Sequence, residues 1–97
     1  RMPDARFSLA QVRIHGKVTD LDNQPLAYST VRLLKTDSAF ISGTTTDTLG
    51  YYQFTNVQPD KYLLAFSTIG YKPQIIPASV SKQDTQLPVI TLESDNV

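Results

Sequence analysis

The chain has 97 residues, 40% of them apolar and 19% charged, with a formal net charge of zero. That is the size and composition of one folded domain, and it lacks the basic surplus of a nucleic-acid binder. There is no cysteine, which excludes disulfides, thiolate nucleophiles and thiolate metal sites, and no apolar run reaches the roughly 18 residues of a membrane helix.

Residues 1–11 show no periodicity and read as a flexible lead-in. Ser8-Leu9-Ala10 would suit the end of a signal peptide, but no apolar stretch precedes it. Val12, Ile14, Gly16 and Val18 then alternate with Arg13, His15, Lys17 and Thr19, the period-2 signature of a half-buried strand with a polar outer face. Asp20 to Pro25 is rich in residues that bond their own backbone and reads as a turn. Pro25-Leu26-Ala27 opens the next segment, and Val31 and Leu33 give its inward face. Lys35-Thr36-Asp37-Ser38 is a second turn. Ala39, Ile41, Gly43 and Thr45 form a third strand, supported by the β-branched run Thr44-Thr45-Thr46.

The chain is organised around Thr44 to Tyr71. Asp47-Thr48-Leu49-Gly50 is a predicted tight turn in which Asp47 bonds backbone two residues on and Gly50 takes a positive φ. In the short strand Tyr51–Phe54, Tyr52 and Phe54 share the inner face and Tyr51 points outward. A loop through Val57-Gln58-Pro59-Asp60 leads to a long strand, Lys61 to Ile69, whose Tyr62, Leu64 and Phe66 share a face; Gly70-Tyr71 closes it. The two strands are expected to be neighbours, with Phe54 buried opposite Tyr62 or Leu64. Lys72 to Pro77 carries two prolines and belongs on an edge or at a bend. Ser79 to Gln86 reads as loop. Leu87, Val89 or Ile90, and Leu92 make a final strand, and Glu93 to Val97 a tail or linker. No helical spacing is sustained. About seven short strands with turn signals every 8–12 residues predict an all-β sandwich, antiparallel or mixed.

The chemistry-bearing residues are few. His15 is the only histidine and lies on an outer strand face; Glu93 is the only glutamate and lies in the tail. A metal centre needs several ligands at set spacing, and a glycosidase needs paired carboxylates. Most aspartates fall in turns, where turn chemistry accounts for them. Asp20-Leu21-Asp22-Asn23 is oxygen-rich but short of the six or more oxygens calcium takes. No catalytic, metal or cofactor residue is therefore assigned. Tyr51 and Tyr28 remain as weak ligand contacts, exposed aromatics on which a sugar can stack; there is no tryptophan.

Gly16-Lys17-Val18-Thr19-Asp20, Pro25-Leu26, Val31, Thr46-Asp47, Gly50, Tyr52, Phe54, Val57, Pro59, Tyr62, Leu64 and Gly70-Tyr71, in that order, resemble the carboxypeptidase regulatory-like domain. That family is a seven-stranded transthyretin-like (prealbumin-like) Greek-key sandwich, and the likeness runs from Val12 to about Leu92. The Asp37-Ser38-Ala39 turn and the Gly70-Tyr71 ending look most like copies near the N-terminus of Bacteroidetes outer-membrane proteins, TonB-dependent receptors among them. The resemblance implies a non-catalytic accessory domain in the periplasm, monomeric as an isolated piece and in water beside the membrane. Its partners would be the rest of an outer-membrane polypeptide and a periplasmic protein, with no nucleic acid. The alternative is a carbohydrate-binding module of a secreted or surface protein. Gram-positive adhesin repeats share Asp47-x-x-Gly50-x-Tyr52-x-Phe54, but their isopeptide cross-link uses a buried acid, and Tyr62 to Ile69 holds none. Transthyretin-like hydroxyisourate hydrolases need several histidines. Two departures from the family pattern are Asp60, where glycine is common, and Asn23-Gln24, where glycine often precedes the proline. Asp and Asn tolerate the left-handed conformation, so both turns are expected to survive.

Overall fold

The computed structural model describes residues 11–95. The expected lead-in, Gln11 apart, and Ser8-Leu9-Ala10 lie outside the described residues. The alternation in the sequence is realised as strands β1 (Val12–Thr19), β2 (Thr30–Lys35), β3 (Phe40–Thr45), β4 (Tyr51–Val57), β5 (Asp60–Ser67), β6 (Gln74–Val80), β7 (Thr85–Gln86) and β8 (Ile90–Thr91). They form two sheets. In one, β1 pairs antiparallel with β4 and, on its other edge, parallel with β7 and β8. The other has the order β3-β2-β5-β6, all antiparallel.

Eight strands stand where seven were expected, and Pro88 is the reason. Leu87 N–H donates to the His15 carbonyl and Leu92 N–H to the Thr19 carbonyl, so one stretch of chain follows β1 throughout. Proline has no N–H to continue that ladder, and the strand splits into β7 and β8. Ile90 and Leu92 fill the core while Val89 is exposed, which decides the alternative the sequence left open. Ser79 to Gln86 is not simply loop. Ala78 and Val80 keep the inward alternation past Pro77 and are buried, and β6 is the edge strand that tolerates a proline. The strand expected to reach Ile69 stops at Ser67. Tyr71 N–H bonds the Thr68 carbonyl, Gly70 sits at φ 89°, and Ile69 is fully exposed on that turn.

β4 and β5 follow each other in the chain but belong to opposite sheets, so they are not the neighbours expected. Tyr52 and Phe54 instead belong to the sheet facing the one that carries Tyr62, Leu64 and Phe66, and all five are buried in one core with Ile14, Val31 and Leu33. The Tyr52 ring meets Phe66 edge-on at 5.5 Å and Phe54 at 6.5 Å. It also lies against Gly16, its partner across the β1–β4 pair, where a Cβ would come within 2.5 Å of the Tyr52 hydroxyl. Glycine at position 16 therefore makes room for this ring.

The Asp47 turn forms as expected. Asp47 Oδ1 accepts the N–H groups of Leu49 and Tyr51, each at 2.9 Å. Gly50 has φ 83°, and a Cβ there would lie 2.6 Å from the Val18 carbonyl oxygen. Asn23 takes φ 64° as its tolerance allows, whereas Asp60 lies within β5 and Asn56, at φ 58°, takes the left-handed conformation nearby. Thr46 ties the start of β2 to the end of β3: its buried Oγ1 donates to the Leu26 carbonyl at 2.6 Å and accepts Ser29 N–H at 2.8 Å. Backbone contacts run past Leu92: Lys72 N–H donates to the Glu93 carbonyl and Asp95 N–H to that of Gly70.

Candidate functional site

β3 and β4 are edge strands of opposite sheets on the same side of the sandwich. The seam between them holds two clefts, one towards the Asp47 turn and one towards the β4–β5 loop.

The first is a shallow, polar opening of about 510 Å³ lined by Arg13, His15, Thr45, Asp47, Tyr51 and Gln53 among others. Period 2 in β1 and β4 puts Arg13, His15, Tyr51 and Gln53 on the outward face. Tyr51 is half exposed, as expected. Its ring is not bare: Lys17, directly opposite on β1, holds its Nζ 5.2 Å from the ring centroid. A stacking sugar would have to displace that cation or use the ring's other face. Tyr28 is 71% exposed but does not line this cleft. It sits at φ 60° on the adjoining corner, its N–H donating to the Thr46 carbonyl. The structure thus places one of the two candidate tyrosines in a cleft and leaves the other outside it.

Six of the eight described carboxylates are engaged within the domain. Asp20 Oδ1 accepts the N–H groups of Asp22 and Gln24, Asp37 that of Ala39, and Asp60 that of Lys61. Asp84 accepts Arg13 N–H and faces its guanidinium at 3.6 Å; Glu93 faces Lys72 at 3.5 Å. Among the described residues no three of His, Cys, Asp and Glu gather where a metal ion could sit.

The second cleft, of about 460 Å³, has a different origin. Val12 pairs with Val57 and Ile14 with Phe54, so one β1 residue is set against two of β4, Thr55 and Asn56. Leu33 pairs with Ser42 and Leu34 with Phe40, which leaves Ile41 as the extra residue of β3. Each edge strand therefore carries a β-bulge, and both bulges line the same opening. Its floor is the buried Leu33, Phe54 and Tyr62; Lys35, Asn56 and Asp60 stand at its rim. The Tyr62 hydroxyl donates to the Gln58 carbonyl at 2.5 Å. Burial, and secondarily the Asp60 charge, raise its pKa above the ordinary tyrosine value. Period 2 within single strands does not reveal this cleft, which depends on the register between strands. The available signal was parity: Tyr52 and Phe54 are two apart, but Val57 is three further on and also buried.

Comparison with known proteins agrees with this architecture. The sequence model of the carboxypeptidase regulatory-like domain matches residues 13–93. Colossin-A of Dictyostelium discoideum is 34% identical over 77 residues, which is 79% of this chain and 1% of that protein. Among solved structures, the TIE protein of Bacillus anthracis superposes with a TM-score of 0.74 at 12% identity, over 88% of this chain and 17% of that one. Catechol 1,2-dioxygenase of Pseudomonas arvilla gives 0.72 at 11% identity, over 93% of this chain and 54% of that one. At such identities the two structures share the fold alone, and this chain spans about half of the dioxygenase and far less of the other two proteins. The β-sandwich and the match over residues 13–93 together make the chain a member of the carboxypeptidase regulatory-like domain family.

Proposed function

We propose that this domain is a non-catalytic docking module within a larger polypeptide, the periplasmic N-terminal extension of an outer-membrane barrel of the TonB-dependent receptor kind. The observation that supports the non-catalytic part is the engagement of six of the eight described carboxylates. Asp20, Asp37, Asp47 and Asp60 accept backbone N–H groups of their own turns or strand starts, and Asp84 and Glu93 face Arg13 and Lys72. A hydrolytic acid or base must be free to meet a substrate. The small share of Colossin-A that the chain spans supports a module in a longer protein. Arg13, Arg32 and Gln53 are exposed on the outer faces, where a barrel strand would present an apolar band; this supports a place in water beside the membrane. The context rests on the resemblance of the Asp37 turn and the Gly70-Tyr71 ending.

The test is fractionation of the full-length native protein. It is expected in the outer membrane, with this domain cleaved by protease only after that membrane is opened. A full-length chain that continues into a soluble enzyme would overturn the context. A second reading, a carbohydrate module, is favoured by Tyr51 standing half exposed beside Gln53 and Thr45 in the polar cleft. Amide shift changes around Tyr51 on glycan titration, lost in Tyr51→Ala, would establish it.

A further inference from the structure

We infer that the bulge-flanked cleft is a peptide-docking site. It takes one large apolar side chain of an extended, uncharged segment of a partner protein, whose backbone runs along the free edge of β3. The inference rests on the docking-module reading and assigns that docking to a place.

Three observations carry it. First, the cleft is built by register. Two bulges, at Ile41 in β3 and at Thr55-Asn56 in β4, face one opening, and bulges recur beside functional sites because they re-aim side chains and end a ladder. The floor of Leu33, Phe54 and Tyr62 belongs to the buried core, so the opening ends on apolar side chains, a seat for an aliphatic or aromatic group rather than for a polar one.

Second, the edges of the two sheets are not equally guarded. Proteins protect edge strands with proline, charge or brevity. β6 contains Pro77 and lies between Lys72-Pro73 and Lys82, and β7 and β8 have two residues each. The two edges at the seam, β3 from Phe40 to Thr45 and β4 from Tyr51 to Val57, have neither proline nor charge, and on β3 both Phe40 and Ile41 are exposed. The bulge at Ile41 leaves only Ser42 to Thr45 as regular edge, enough to pair one short segment. Strand addition draws affinity from such backbone groups and specificity from an adjoining side-chain pocket.

Third, the charges at the rim cancel. Lys35 and Asp60 are the ionised groups lining the cleft, so an ionised ligand would find no net attraction. A second copy of this chain is a poor occupant. Ile41 already lines its own cleft, and the Phe40 ring leans over Gly43, 3.6 Å from where a Cβ would be. Both apolar side chains of β3 thus lie over their own strand and cleft, so pairing two copies β3 to β3 supplies no free anchor.

Selection of a displayed library of random linear peptides against this domain tests the inference. Expected winners are uncharged, β-prone and share one large apolar position, and a winner made synthetically slows hydrogen exchange at the amides of Ser42 to Thr45. Ile41→Lys should weaken that peptide by about tenfold or more, roughly 1.4 kcal/mol. Ile75→Lys, the same change at an exposed isoleucine on the opposite edge of the sheet, should leave its affinity unchanged. Should Ile41→Lys fail to fold, Ser42→Lys replaces it. The inference falls if no peptide is enriched, if affinity survives the β3 variants, or if β3 is protected only by concentration-dependent self-association. A peptide that binds and protects another surface rejects this cleft while leaving the docking module intact. Failure of the outer-membrane fractionation rejects the context without touching the cleft.

Discussion

Replacing Tyr52 by phenylalanine should make the protein more stable. Tyr52 is 3% exposed and its hydroxyl finds no hydrogen-bond partner among the described residues. Burying an unpaired hydroxyl costs about 1–3 kcal/mol in protein mutational series. The ring contacts with Phe66 and Phe54 do not involve the oxygen and survive the change. Tyr52→Phe is therefore expected to gain about 1–2 kcal/mol in urea unfolding, or about 4–8 °C in Tm for each kcal/mol in a domain this small. The same hydroxyl has an alkaline signature. Burial pushes its pKa from 10.0 up to about 12, so the folded state holds the proton longer than the unfolded chain does. Below the unfolded value the group costs no pH-dependent stability. From there up to the folded value stability falls, by at most about 1.4 kcal/mol per pH unit. The variant should lose this part of the alkaline slope and keep whatever Tyr62, also raised by burial, contributes. A variant about 1 kcal/mol less stable than the parent, with an unchanged alkaline slope, would show that the hydroxyl is paired and would refute the reasoning.

Phe54→Ala, at a buried core position, should cost about 3–5 kcal/mol of the roughly 5–15 kcal/mol a domain possesses; a loss near half a kcal/mol in denaturant melts would mean that the ring is not packed as described. Gly50→Val should destabilise more than Gly50→Ala, and both by more than strand propensity predicts, because the residue sits at φ 83° with a Cβ position 2.6 Å from the Val18 carbonyl; equal melting of all three proteins would remove that argument. Thr46→Val keeps the shape of the side chain but strands the buried Ser29 N–H, while the Leu26 carbonyl keeps the Ser29 hydroxyl at 3.1 Å, so a loss of about 1–3 kcal/mol is expected in the same melts, and a neutral result would mean that the Ser29 N–H finds another partner.

The fold was legible wherever period 2 ran without interruption. Val12 to Thr19 became β1 with Ile14 and Val18 fully buried, and Tyr52, Phe54, Tyr62, Leu64 and Phe66 all entered the core. Alternation names the inward face but not the partner sheet. It gave no reason to send β4 and β5 to opposite sheets, since the two-residue connection Gln58-Pro59 would look the same in sequence as a hairpin loop. Prolines misled in both directions. Pro77 marked an edge correctly but also suggested an end, although Ala78 and Val80 carry the strand on. Pro88 sits inside what the pattern of Leu87, Ile90 and Leu92 presents as one strand, and it divides it.

The candidate sites were less legible because they depend on register, which is a property of strand pairs. Tyr51 could be placed outward from its own strand, but the Lys17 cation over its ring required knowing that these residues stand opposite each other. Tyr28 could not be placed at all, since its direction comes from a left-handed backbone in a connecting segment. The bulge in β4 did leave a trace. A regular strand cannot bury both Phe54 and Val57, three residues apart, on one face. A loop at Val57 would avoid the conflict; the structure instead keeps Val57 in the strand and inserts one extra residue, with Asn56 in the left-handed conformation that asparagine tolerates best among residues with a side chain. The parity break, the asparagine and the opening beside them are thus one feature at three levels. The extra residue lets Val57 return to the core, it ends the regular ladder of β4 against β1, and it brings Thr55 and Asn56 into the lining of the cleft.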